Sequence, residues 1–383
     1  MAKIVVETAF NVAPDSTSGY QIFDAEDQWL VANATDGIFK YDGTGIGGLD
    51  GGAPKGNILA VYKDRLLVAG DSNFPHRIWY SHIRNAEGWS KKTNWLDVRP
   101  EDGGEINGLG VQGDELMISK NNGKLYGWRI YNDGAPENSR VRIIEDDKGQ
   151  VNNKTAAVLE DTYYYLDRNQ VDTIPRQFKG GLSYIIDQVV KGINSLDELS
   201  MGSNDRRVYV ALGDIDIEVG DTVSLSDAVL VYDVPAAAWY IRDKIDAKAF
   251  ARFIDSSNEE RIYFGDSNGK VYKLEEGTLA GSDPIHMRIR TKPYLREQGQ
   301  QITVKKVGIY MDDPDGTIVS YRTSLQHKFD NQLGQITKEP VQWFEVSASG
   351  GLFQLEFSHS NREARPTLNQ VSIIYDVGGK HGD

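Results

Sequence analysis

The chain has 383 residues, with 42 Lys plus Arg against 56 Asp plus Glu, a formal net charge of −14, 39% hydrophobic and 26% charged residues. That is the composition of a globular protein rather than a disordered one. The acidic balance argues against a protein that coats DNA or RNA, because neutralising phosphate takes clustered Lys and Arg. The absence of cysteine excludes disulfide staples, thiolate zinc sites, Fe–S clusters and thiol nucleophiles together. At the start, Ile4-Val5-Val6 is a short apolar run, where a secretory core needs about 7–15 residues. No window approaches the roughly 18 apolar residues of a membrane-spanning helix. The expectation is a soluble chain made without a leader.

In chain order, the dominant pattern is an apolar run, a polar turn, and a second run rich in β-branched and aromatic residues. Gly19–Phe23 precedes Gln28–Ala32; Ile58–Tyr62 leads through Lys63-Asp64 into Arg65–Ala69; Ile106–Val111 leads into Glu115–Ser119. Thr155–Leu159 precedes Thr162–Leu166, Leu199–Gly202 precedes Arg207–Ala211, and Ala247–Ile254 precedes Arg261–Gly265. Runs this short, bounded by Gly, Asp and Asn and without helical spacing, predict strands in hairpins. Third strands follow at Ile38–Tyr41, Arg77–Tyr80, Lys124–Trp128, Val171–Ile174, Val229–Tyr232 and Lys270–Leu274. Several are introduced by Asp36-Gly37, Asn122-Gly123 or Asn268-Gly269, pairs that suit two-residue turns with positive φ. Fourth strands are fainter, at Trp95–Val98, Val141–Ile144 and Ala238–Ile241.

The second strands begin near 29, 65, 115, 162, 207 and 261, in steps of 36, 50, 47, 45 and 54 residues. Propeller blades of four strands repeat every ~40–50 residues. Residues 1–282 are therefore expected to form a six-bladed β-propeller, with the N-terminal strand closing the ring. Between blades, Ile185, Ile186, Val189, Val190, Ile193, Leu196 and Leu199 follow a period near 3.6. This predicts a short amphipathic helix within 183–199, capped by Ser183 and ended at Gly192, packing on its own propeller.

From Asp283 the rhythm changes. Strand-like runs at 285–291, 302–311, 317–324, 341–348, 352–357 and 370–377, with turns at Asp313–Gly316 and Ser349–Gly351, predict an antiparallel β-sandwich or jelly roll over 283–383. These residues carry 12 basic and 12 acidic side chains, so the whole −14 lies in residues 1–282.

No motif carries catalysis or binds a metal or cofactor by its spacing. The six His residues show no HExxH or HxH pattern, and His76 and His82, six apart, read as surface or capping residues rather than ligands. Gly43–Gly48 matches GxGxxG, but the following Leu49–Pro54 cannot start the helix a dinucleotide needs; a loop between blades is expected. Asp214, Asp216 and Glu218 alternate on one strand face, a flat row rather than a calcium cage. Asp312–Gly316 reads as a turn before it reads as a calcium loop. Asp266–Tyr272 is reminiscent of the Asp-box turns of sialidase propellers but lacks their ending, and reads as a hairpin turn. The interface aromatics are not separable, since Trp89, Trp95, Trp128 and Trp239 suit a core equally well.

Three stretches together point to a family. Arg65-Leu66-Leu67-Val68-Ala69-Gly70, then His76-Arg77-Ile78-Trp79-Tyr80-Ser81 and Gly88-Trp89, resemble a blade of tailed-bacteriophage virion propellers. Ser183–Ile193 followed by Arg206–Leu212, and Leu355–Asn361 followed by Pro366–Tyr375, are similar to the same group, which includes tail nozzle or hub propellers of short-tailed phages and their stabilisation proteins. The resemblance implies a non-enzymatic structural protein of the virion tail, assembled in the host cytoplasm. It further implies a ring made with copies of itself and with portal, adaptor or tail-tube neighbours. The acidic propeller would let duplex DNA pass without binding it. The competing reading is a carbohydrate-binding or glycan-cleaving propeller, motivated by the aromatic content and the Asp-Gly and Asn-Gly turns. A WD or kelch scaffold lacks its Trp-Asp and Gly-Gly signatures.

Overall fold

The computed structural model describes residues 29–33, 37–41, 46–49, 52–131, 136, 139–168, 170–176, 181–183, 186–196, 198–219, 221–254, 259–274, 279–280, 283–284, 286–295, 301–324, 328–337, 340–361, 364 and 366–377. Nearly all its regular elements are strands, paired antiparallel. The chain divides into two compact units, Met1–Glu218 with Thr222–Glu275, and Val219–Asp221 with Glu276–Asp383. The division at 275/276 falls earlier than the 282/283 read from the sequence. The short hairpin of β22 (Leu279–Ala280) with β23 (Asp283–Pro284) groups with the second unit.

The first unit is a succession of meanders. The first sheet holds β1 (Trp29–Asn33), β2 (Gly37–Tyr41) and β3 (Ile46–Gly48), and the second holds β4 (Ile58–Tyr62), β5 (Arg65–Ala69), β6 (Arg77–Tyr80) and β7 (Trp95–Asp97). The third holds β8 (Ile106–Gln112), β9 (Glu115–Lys120), β10 (Leu125–Arg129) and β11 (Arg140–Glu145); the fourth holds β12 (Ala156–Leu159), β13 (Thr162–Leu166) and β14 (Val171–Ile174). The fifth holds β15 (Ser200–Ser203), β16 (Arg207–Val219), β17 (Asp221–Asp233) and β18 (Ala238–Arg242), and the sixth β19 (Ala249–Ile254), β20 (Glu260–Gly265) and β21 (Val271–Lys273). The expected ring-closing strand at Gly19–Phe23 lies outside the described residues.

Consecutive sheets share their cores. Leu30 and Ile38 pack with Leu66 and Trp79, and Tyr62 and Tyr80 with Tyr126 and Trp128. Met117 and Leu125 pack with Tyr163 and Tyr165, Leu159 and Leu166 with Val208 and Leu230, and Tyr209 and Val231 with Phe250 and Ile262. The cause is pleating: both phases of a central strand such as Leu66-Leu67-Val68 are apolar and buried, so each face meets a different neighbouring sheet. Strands β4, β8, β12, β15 and β19 lie side by side in that order.

Four local readings are corrected. The Asn-Gly hairpins are not two-residue turns: Lys120 N–H bonds Lys124 C=O and Asp266 N–H bonds Lys270 C=O, so the loops hold three residues, with Gly123 and Gly269 alone at positive φ. Among the described residues, a two-residue turn with both φ positive is Lys63-Asp64. The helix is shorter than 183–199: α1 spans Asp187–Lys191, and Ser183 does not cap it. Instead the Ser183 hydroxyl accepts the Val171 N–H at 2.8 Å, a buried strand bond that outcompetes the cap. Gly192 does follow the helix end, and Val189 and Val190 are buried in the core of the fourth and fifth sheets. Ile46–Gly48, read as loop, is β3. Finally, β16 and β17 each run 13 residues. Gly213 takes φ +68, which lets β16 continue past an irregularity.

In the second unit, β24 (Met287–Arg290), β25 (Tyr294–Leu295), β27 (Ile318–Arg322), β28 (Asn331–Gln335) and β30 (Leu352–His359) form one sheet, ordered β24-β30-β27-β28 with β25 also on β30. In the other, β26 (Ile302–Asp312) lies between β29 (Val341–Gly350) and β31 (Thr367–Val377). Val304, Val307 and Ile309 of one sheet and Val319, Phe353 and Phe357 of the other form a single cluster.

Candidate functional site

Two features of the surface and seams stand out, and neither is a catalytic constellation. The first is a set of polar ties between sheets of the first unit. Tyr62 donates its hydroxyl to Asp114 C=O at 2.8 Å and accepts the Ile130 N–H at 3.2 Å, joining the second sheet to the third. Gln112 Nε2 donates to Asp161 C=O and Ile174 C=O at 2.6 and 2.7 Å, joining third to fourth. Ser203 Oγ donates to Val158 C=O, joining fifth to fourth, and Ser200 Oγ donates to Ala247 C=O, joining fifth to sixth. Lys154, just before β12, donates Nζ to Lys248 C=O at 3.1 Å, just before β19. That bond reaches from the fourth sheet to the sixth, past the fifth. It brings the approaches to β12 and β19 within hydrogen-bond reach of each other.

Electrostatics reinforce the third-to-fourth seam. The Asp172 carboxylate, 1% exposed, receives Gln170 Nε2 at 2.9 Å and Lys148 Nζ at 3.3 Å, with Arg176 at 3.8 Å. Arg176 also pairs Glu145 at 2.8 Å. A buried carboxylate with several donors is held firmly, because removing them would leave a desolvated charge. Burial, with Asp172 and Glu145 nearby, pushes the Tyr165 hydroxyl well above its ordinary range.

The second feature is the outward face of the sheet β29-β26-β31. In β29, Phe344, Val346 and Ala348 take the inward phase, so Val341, Trp343, Glu345, Ser347 and Ser349 point outward. Trp343 is 52% exposed and Val341 43%. Trp343 pairs in register with Gly308, and an added Cβ there would sit 2.8 Å from ring atoms, so the indole lies across bare backbone. A glycine beneath an aromatic is a known way to stabilise a strand. Beside it stand Tyr310, Ile374 at 50% exposure, and the ion pair Lys306–Glu345 at 2.6 Å.

The weighed motifs separate. His76 Nδ1 bonds Gly104 C=O at 2.9 Å and His82 Nε2 bonds Ser90 Oγ at 3.0 Å, serving two different turns. Asp214 and Asp216 are exposed while Ile215 and Ile217 are buried, as alternation predicts; the Glu218 side chain lies outside the described residues. Asp214 accepts the Asp227 N–H and Asp216 accepts Ser224 Oγ. Asp266 accepts the N–H groups of Asn268 and Lys270, a hairpin turn. Asp313 and Gly316 both take positive φ in the 312–316 turn. Among the described residues no group of three or more His, Asp or Glu is placed to hold a metal. Of the tryptophans singled out, Trp128 is fully buried and Trp95 partly exposed over the Arg77 guanidinium at 3.9 Å. Trp343, more exposed than either, lies outside that set. Its signal was present in the alternation of Val341–Gly350, where it falls on the polar phase.

No protein-family model matches the chain, and no curated protein does either. Several solved structures are similar. The chain is 14% identical to BBS1N, crystallised in complex with ARL6DN, with a TM-score of 0.43, covering 71% of this chain and 77% of that one. It is 11% identical to the WD40 beta propeller domain of Doa1, TM-score 0.35, covering 72% and 96%. It is 12% identical to the computationally designed Ika8 protein, TM-score 0.36, covering 64% and 67%. Likenesses this loose assign no function.

Proposed function

We propose that this chain is a structural component of a bacteriophage tail, a six-bladed β-propeller followed by a β-sandwich, with no chemistry of its own. It assembles in a ring with copies of itself and with portal, adaptor or nozzle neighbours. The observation that carries the reading is the continuous stitching of the first unit: five shared cores in succession and the Lys154–Lys248 bond spanning the sheet between. Sheets packed this way around a common centre leave few free edges and make a stiff body without covalent staples. The blade resemblance at 65–89 supplies the class. Particles made without this protein should show missing or incomplete tails by electron microscopy; normal infectious tails would overturn the proposal. The acidic first unit suits a wall past which DNA slides, so tight duplex binding by the purified chain at physiological salt would remove that part.

Trp343 favours a second reading, glycan binding, since an exposed indole face stacks on the apolar face of a sugar ring. A glycan array with the whole chain and with Trp343→Ala separates the two.

A further inference from the structure

The outward phase of β26 runs Lys306, Gly308, Tyr310, and Gly308 is buried although the other two are exposed. Its cover is Trp343. A Cβ on Gly308 would lie 2.8, 2.8 and 2.9 Å from three consecutive atoms of the six-membered ring. Near-equal distances to consecutive ring atoms mean a face-on approach, since an edge-on one would favour the nearest atom. One face of the indole is therefore laid on backbone, and its exposure belongs mainly to the other. In register around the ring stand Tyr310 and Val341 on one side, the Lys306–Glu345 pair on the other, and Ser372 across β26. Lys306 Nζ donates to Glu345 Oε1 at 2.6 Å, and among the described residues nothing donates to Oε2. Gln370 Nε2 donates to Ser372 Oγ at 3.2 Å. A second ion pair, Lys305 with Asp376 at 3.2 Å, keeps the charge around the ring balanced.

We propose that Trp343 and the Lys306–Glu345 pair form a binding site for a neutral pyranose whose adjacent ring hydroxyls are both equatorial. Such a sugar presents a C–H face about the size of the indole, which stacks on the exposed side of Trp343. Its hydroxyls edge that face rather than lie on it. The unused Glu345 oxygen accepts from one hydroxyl and the Lys306 ammonium donates to its neighbour, bonds strengthened by charge. Balanced charge favours a neutral sugar over a uronate or a sialoside. An ion pair beside the ring also interrupts the dry apolar surround that the hot spot of a protein contact needs. This inference deepens the glycan reading above and rests on it; it does not depend on the ring.

The test uses the whole purified chain with methyl β-glucopyranoside, its 3-deoxy analogue, which has no adjacent ring hydroxyls, and methyl β-glucuronide. In saturation-transfer NMR the glucoside should take saturation at the axial protons of one ring face rather than at both faces alike. Glu345→Gln and loss of the 3-hydroxyl should each weaken binding by about tenfold. Trp343→Ala should abolish it. Trp343→Phe, a smaller ring over the same glycine, should keep weak binding, which separates a lost platform from a lost fold. Tyr294→Ala, which removes an exposed aromatic of the other sheet, should change nothing. If the glucuronide or the 3-deoxy sugar binds as well as the glucoside, the neutral diol clamp falls while the glycan reading stands. If no sugar binds in solution or on the array, both fall. Self-association that Trp343→Ala abolishes, without sugar binding, assigns the face to a protein contact and overturns the inference.

Discussion

Asp102 and Tyr126 show how a single pair shapes a loop. The tyrosine hydroxyl donates to the carboxylate at 2.6 Å, and that bond, ahead of nearby Lys124 and Lys120, holds the Asp102 carboxyl below its ordinary range. The unfolded chain therefore takes up the proton first as pH falls. The stability from this group is present above the ordinary carboxylate range and is lost below it. In Tyr126→Phe, the Asp102 carboxyl should titrate at higher pH by NMR, and acid unfolding should begin earlier. Behind it, Lys120 is fully buried and donates to Arg99 C=O and Gly103 C=O at 2.8 and 3.0 Å. At the neighbouring seam, Asp172→Ala strands Lys148 and part of Arg176 around a void. The expected cost is about 1–3 kcal/mol, read as a lower urea midpoint.

Among the elements, α1 is set by its ends. A Cβ on Gly192 would lie 2.5 Å from Asp216 C=O, so the helix exit touches the backbone of β16. Gly192→Ala should destabilise by about 1–3 kcal/mol through overpacking, with a matching drop in the urea midpoint; an unchanged midpoint would show that the backbone yields. The strand rhythm of 29–274 was legible because two-faced burial demands apolar runs between polar turns, and every second strand begins within a residue of where the pattern places it. What stayed hidden depended on distant partners. Ser183 looks like a cap until Val171 claims it, and Asn331–Gln335 is too polar to read as a strand, though β27 pairs with it. Trp343 was readable in principle, but only once the phase of β29 was known. The polar ties at Gln112, Lys154 and Ser200 were illegible, since their acceptors are backbone carbonyls that carry no residue signature.

For the molecule as a whole, each unit has its own core: one cluster draws only on residues 289–373, and the others stop at Leu274. Calorimetry of the intact chain should resolve two unfolding transitions, and Val307→Ala should lower one of them. A single transition with equal calorimetric and van't Hoff enthalpies would contradict this. The Lys154 bond to Lys248 C=O has a mechanical meaning as well. It links the approach to β12 with the approach to β19 through one side chain, so a displacement of either loop is felt at the other.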